Sequence, residues 1–331
     1  RHVRADPPPP QVKPALAALL LLMAAAPALA DGLIDNVAGQ TRDAKGKAIS
    51  FTGLLIGQDG RVTRLLGQGD KPPKKLDYRL DAKGRTMVPG RIAPAQALMA
   101  AAIPLLVREP LMQSRPLQPY ERDLAFSLIQ KKLLAQGITT AVDIDTGIAD
   151  WNVYRRAGDA GRLRIRILSY AAGIEPMTVV AGNQPTPWLY AGRLRMAGLA
   201  VADAAPFEDA RVRNLISRGA MDGFQVAMLP RGAGAIDHAL AAIEEVAGGY
   251  GTTRRWRLET GGAPAPDAAR MAHSGTLAVG TEPQDPADAA FAAIAEDQLG
   301  SLTPGHFADF LLVKADGSID ETWIGGVRVL K

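Results

Sequence analysis

Between residues 120 and 283 the chain switches repeatedly between two hydrophobic periods, and this alternation restricts the folds open to it. The segment "YERDLAFSLIQKKLLAQG" sets Leu124, Leu128, Leu133 and Leu134 on one helical face and stops at Gly137. "ITTAVDID" then reads as strand, "ADWNVYRRAGDAGR" as helix and "LRIRILSYAA" as strand. Further on, "FEDARVRNLISRGAMDG", "AIDHALAAIEEVAGGYG" and "PDAARMAHSG" read as helices, followed by the strands "FQVAMLP", "RRWRLETGG" and "TLAVGTEP". Strands separated by helices pair in parallel, with the helices laid on the sheet. About five strand–helix units are legible, fewer than the eight of a closed (β/α)8 barrel. The expected fold class is therefore α/β: an incomplete, TIM-like (β/α) barrel over residues 91–299.

Both flanks have a different texture. "AISFTGLLIGQDGRVTRLLG" is two apolar runs around Asp59-Gly60, a hairpin signal. "DYRLDAKGRTMVPG" reads as a polar strand pair turning at Lys83-Gly84. The last segment, "FADFLLVKADGSIDETWIGGVRVLK", has turns at Ala315-Asp316-Gly317 and Gly325-Gly326 with short strands around them. Residues 31–90 and 300–331 are thus expected to join as a composite β-sandwich module.

The first 30 residues read as a signal peptide. Arg1, Arg4 and Lys13 precede the apolar run Ala15 to Ala26, and Ala28-Leu29-Ala30 has the small-x-small cleavage pattern. The run is too short to span a bilayer as a helix, so the expectation is a periplasmic or secreted chain, starting at Asp31, with no membrane span after cleavage. The chain contains no cysteine, which excludes thiol nucleophiles and zinc–thiolate sites. Net charge is +4, with the cations scattered and only 5% aromatic residues, so nucleic acid is not an expected partner.

Taken together, these segments resemble the amidohydrolase superfamily, in particular its exported amidohydrolase-3 type. The resemblance is carried by the entry strand "DAKGRTMVPGRI", the internal unit "GITTAVDIDTGIADWNVYRRAGDAGRLRIRI", the later strands "GRLRMAGLAV", "AMDGFQVAM" and "RRWRLE", and the C-terminal "AFAAIAEDQLGSLTPGHFADFLLV". It implies hydrolysis assisted by one or two divalent ions such as zinc, with ligands at the carboxyl ends of the barrel strands. The ligand positions it implies hold other residues here. The H-x-H pair falls on Ala95 and Ala97, the bridging lysine on Ala200, and two later histidines on Leu229 and Thr260. Only the final position, Glu282, keeps a carboxylate. Methyl and isobutyl groups have no lone pair to offer a metal. The resemblance therefore implies a shortened family member lacking its metal ligands. The resemblance also implies that segments are missing between Ala97 and Tyr120 and after Pro283, and Ile103 to Tyr120 is a candidate to lie across the opening.

Other candidate groups are Asp143, Asp203, Glu259 and Glu282, with Asp145 beside the first, all near predicted strand ends. Converging, they would form an acid/base pair or an oxygen site for calcium or magnesium; apart, they cap helices and meet solvent. The Gly-rich turn "PRGAGA" at 230–235 lies at a strand–helix junction where an anion can bind. His2, His238, His273 and His306 fall in the leader, helices or a loop, away from strand ends. Three function classes are compatible with this pattern. One is a catalytically inactive homologue acting as a binding or partner subunit; another is a metal-dependent hydrolase of non-peptide C–N bonds; the last is a decayed or truncated sequence. No cofactor is expected, unless zinc where family activity is retained. The expected partner is a second copy or a full-length relative that covers the open barrel.

Overall fold

A computed structural model of the protein describes residues 32–106, 116–202, 210–231 and 234–331. The signal-peptide reading and Asp203 lie outside the described residues.

The two ends of the chain build one eight-stranded mixed sheet. Its strands are β1 (Gly32–Arg42), β2 (Ala48–Ile56), β3 (Val62–Leu66), β4 (Tyr78–Asp81) and β5 (Thr86–Pro89), joined by β13 (Phe310–Val313), β14 (Ile319–Ile324) and β15 (Val327–Leu330). The order is β15-β14-β13-β5-β1-β2-β3, with β4 beside β1. The Asp59-Gly60 hairpin forms between β2 and β3 as the turn chemistry requires. The expected hairpin at Lys83-Gly84 does not form. Both β4 and β5 run parallel to β1, at Gly32 to Asp35 and at Ala38 and Gly39 respectively. Strand β1 bulges after Asp35, and Asn36 and Lys83 both adopt positive φ, so the chain jogs past the bulge rather than reversing.

The central segment forms a second sheet, entirely parallel, of seven strands in chain order: β6 (Arg91–Ile92), β7 (Ile138–Thr146), β8 (Arg166–Ala172), β9 (Leu194–Ala202), β10 (Gln225–Leu229), β11 (Trp256–Glu259) and β12 (Thr276–Val279). Seven strands replace the five units legible in the sequence, in part because β6 is only two residues long. The sheet curls into a half-barrel and, among the described residues, does not close, since β6 and β12 share no ladder. Outside it lie α1 (Leu98–Leu106), α2 (Pro119–Ala135), α3 (Ile148–Asp159), α4 (Ile174–Ala181), α5 (Ala210–Met221), α6 (Ala235–Ala247) and α7 (Ala268–Ser274), sharing one large apolar core with its convex face.

The concave face is filled by a helix that the sequence did not reveal. In α8 (Pro286–Ala292) and the turn that follows, Ala289, Ala290, Ala293 and Ala295 pack on Ile92, Val142, Leu168, Tyr170, Ala200 and Ala227. Small side chains let the helix sit close to the strands. Of the segment Ile103 to Tyr120, residues 107–115 lie outside the described residues; Leu105 and Leu106 of α1 pack against the outer core, beside α2, while α8 fills the concave face. Among the described residues no helix is long and apolar enough to cross a membrane.

A buried ion pair docks the two sheets. Arg166 of β8 donates from Nε and Nη2 to Asp309 (2.6 and 2.7 Å) and from Nη1 to the Gly192 carbonyl (2.6 Å). Asp309 also accepts from the Gly325 amide at 2.8 Å. The Phe307 ring lies between the guanidinium groups of Arg166 and Arg61, 3.7 and 4.0 Å from its centroid.

Candidate functional site

Alternate residues along each strand face the concave side. On β7 these are Val142 and Ile144, on β10 Gln225, Ala227 and Leu229, and on β11 Arg257 and Glu259. Four of the facing residues make a polar chain. Tyr170 donates to Gln225, whose amide donates to the carbonyls of Arg255 (2.7 Å) and Ala292 (2.9 Å). Arg257 donates to Glu259 through Nε and reaches the Ala292 carbonyl through Nη1 (3.4 Å). Arg255 donates to the Phe291 carbonyl at 2.7 Å. The orphan carbonyls at the end of α8 are thus taken by side chains of β10 and of the β11 region, which holds the helix inside the half-barrel.

Above this layer, at the carboxyl ends of the strands, is a cavity of about 210 Å³. Its lining includes Ala95, Gln96 and Ala97 after β6, Ile144 and Asp145 at the end of β7, Leu229 and Arg231 after β10, Glu259, and residues 279–281 of the β12 end. Opposite edges of the sheet meet here because the sheet curls. A larger groove, about 1,080 Å³, runs between the β module and the β6 edge, beside Arg91, Ile92 and the Arg42–Asp285 pair (3.7 Å). Volume alone does not choose between them. In this fold, ligands and chemistry belong to the carboxyl ends of the strands, and only the smaller cavity lies there.

Among the described candidate carboxylates, only Asp145 and Glu259 reach the cavity. Asp143 points outward from β7 into the helix layer, where its carboxylate accepts from the Leu98 amide (2.7 Å), Thr146 Oγ1 (2.6 Å) and Tyr154 OH (2.8 Å). Burial pushes its pKa up to about 7 against the pull of those three donors, and burial together with Asp143 raises that of Tyr154. Glu259 does face the cavity, but Arg257 holds it; burial raises its pKa against the pull of that guanidinium. Glu282 is exposed on the loop after β12.

The positions implied for metal ligands are distributed as follows. Ala95, Ala97 and Leu229 line the cavity. Ala200 is buried among the apolar residues of the concave face. Thr260 sits beside Glu259 with its hydroxyl and amide both given to the Val279 carbonyl (3.3 and 2.9 Å). His306 binds Thr303 and the Glu296 carbonyl (2.9 Å) in its loop, and His238 and His273 lie on the outer helices α6 and α7. Among the described residues no three His, Asp or Glu side chains are grouped to hold a metal. The cavity's anionic donors are Asp145 and an already paired Glu259, a set that does not fit the divalent ion of the resemblance.

Two residues of the cavity were underrated by sequence. Arg231 belongs to the Gly-rich turn read as a place where an anion can bind, and Asp145 differs from the other candidate acids in its backbone. It adopts φ +75°, where the β7–β8 register breaks between Ile144 and Thr146.

The Amidohydrolase family matches residues 95–284, more than half of the chain and the whole span from the cavity's first lining residue to the end of the parallel sheet. The chain belongs to the amidohydrolase family. Solved structures of similar fold include an uncharacterized metal-dependent hydrolase from Pyrococcus horikoshii OT3 (11% identity, 86% of this chain and 98% of that one, TM-score 0.64). A triazine hydrolase from Arthobacter aurescens aligns at 13% identity over 91% of this chain and 94% of that one, TM-score 0.66. The atrazine chlorohydrolase of Arthrobacter aurescens TC1, complexed with zinc, aligns at 15% identity over 91% and 95%, TM-score 0.64. At such identities the likeness establishes the fold. No curated protein matches the chain. Against its own amidohydrolase framework, the site is notable for methyl groups at Ala95 and Ala97, on the approach where the resemblance implies histidines.

Proposed function

We propose that this amidohydrolase-family protein is a non-hydrolytic binder that uses the cavity at the carboxyl end of its half-barrel to hold a small ligand. The carrying observation is the lining itself. Ala95, Ala97 and Leu229 occupy the wall where the resemblance implies imidazoles, and Glu259 is neutralised by Arg257. Metal-assisted hydrolysis needs an ion that lowers the pKa of a bound water and polarises the scissile carbonyl. Side chains without lone pairs cannot recruit one. What the cavity keeps is shape, an apolar floor and ionic groups at its rim, which suffice for binding.

The test is turnover. Purified protein with added zinc or manganese is incubated with amide, carbamate and chlorotriazine substrates, and products are followed by mass spectrometry. Rates equal to those of the buffer with metal are expected. Metal-stimulated turnover that scales with protein concentration and is lost on Glu259→Gln would establish a hydrolase instead.

A further inference from the structure

We infer that the carboxyl-end cavity binds a small zwitterion with an aliphatic body, its ammonium toward Asp145 and its carboxylate toward Arg231. This inference rests on the reading of the cavity as a ligand site.

The charges decide the class of ligand. Three ionisable side chains line the cavity: Asp145, Arg231 and Glu259. Glu259 is spoken for, because Arg257, itself 2% exposed, pairs with it from below. Asp145 and Arg231 make no hydrogen bond or ion pair with each other or with any other described residue. Arginines elsewhere in this protein are commonly engaged by carboxylates, as Arg85, Arg156, Arg166, Arg255 and Arg270 are. One free anion and one free cation around a single small volume complement a molecule that carries both opposite charges. A ligand with only one charge would satisfy one wall and leave the other unmatched.

The geometry favours preorganisation. Asp145 sits in the left-handed region, which Asp and Asn tolerate better than most residues. Its neighbours on both sides are fixed: Asp143 and Thr146 are buried and bonded to each other and, through Asp143, to Tyr154 and the first amide of α1. The carboxylate is therefore presented on a rigid strand end at no further ordering cost in the backbone. Between the charged walls the surface is Ile144, Leu229, Val279 and Ala95. A volume of about 210 Å³ is below the range typical of drug-sized ligands. It suits an amino-acid-sized molecule with a short aliphatic side chain.

Calorimetric titration of the purified protein tests this with four probes: valine, γ-aminobutyrate, isovalerate and isobutylamine. The expected result is binding of at least one of the two zwitterions, with isovalerate and isobutylamine each at least about tenfold weaker, a difference of 1.4 kcal/mol. D145N and R231Q should each weaken the zwitterion at least about tenfold while leaving the melting temperature unchanged, since neither side chain has a partner among the described residues. Asn keeps the left-handed backbone at 145. Failure of both zwitterions to bind at about 10 mM, in the range of very weak affinity, overturns the inference, as does binding indifferent to both substitutions. Metal-dependent turnover would instead overturn the reading on which it rests; a protein without turnover that ignores both zwitterions overturns this inference alone.

Discussion

Replacing Asp309 by alanine should destabilise the fold more than a surface change, because it strips a buried guanidinium of its only counterion among the described residues. Arg166 is 1% exposed and spends both Nε and Nη2 on Asp309. After the substitution Arg166 keeps the Gly192 carbonyl and the Phe307 ring, and the Gly325 amide loses its acceptor. Removing one partner of a buried pair costs about 3–5 kcal/mol, and a lost acceptor for a buried amide adds about 1 kcal/mol. Against a total stability on the order of 5–15 kcal/mol, that is about a quarter or more. Urea unfolding followed by far-UV circular dichroism reads it as a lowered midpoint. The double substitution Arg166→Met with Asp309→Leu removes both charges and should recover most of the loss, since apolar replacement of a buried pair is often neutral. A cost under about 1 kcal/mol for Asp309→Ala, or a double variant no better than the single, would refute the claim that this pair locks the two sheets together.

Three further outcomes follow from named contacts. Asp143 titrates near 7 in the fold against an ordinary 3.8, so the stability it contributes is full below about pH 4 and is lost as pH rises through 7. At 1.36 kcal/mol per pH unit this is about 4 kcal/mol, read as a fall in wild-type stability between pH 4 and 7 relative to Asp143→Asn in parallel unfolding curves. Gly198→Ala would place a methyl carbon 2.1 Å from the Tyr170 ring and 2.7 Å from the Gln225 carbonyl oxygen; thermal unfolding should show a loss of roughly 1–3 kcal/mol, as for an overpacked core. Expression of the full sequence in a Gram-negative host should yield a mature N-terminus at Asp31 by mass spectrometry, whereas soluble protein retaining residues 1–30 would count against export.

The alternation of strands and helices from 120 to 283 was legible because each element buries one face on a shared core, which forces a period on its sequence. The β2–β3 hairpin was legible because Asp59-Gly60 carries the turn chemistry itself. What stayed hidden has physical reasons. Strand β6 is two residues long, too short to show a period. Helix α8 is a seven-residue, alanine-rich segment whose place is fixed by Gln225, Arg257 and Arg255, which lie 30 or more residues away in the chain. The Lys83-Gly84 signal was real as a bend, but the bulge in β1 set its partner. At the site, the aliphatic residues at 95, 97 and 229 were visible as a departure from the resemblance. That Asp143 turns away from the cavity while Asp145 enters it was not, because a register break inverts the ordinary alternation along β7.

The most direct test of a family fold without its metal site is the metal content of the protein. The purified chain is saturated with zinc, dialysed against metal-free buffer and analysed by inductively coupled plasma mass spectrometry alongside its protein concentration. Zinc, manganese and iron should each be well below one per chain, because Ala95, Ala97 and Leu229 offer no donor and Glu259 is held by Arg257. A stoichiometric, tightly retained ion would contradict this and return the protein to the metal-dependent hydrolases.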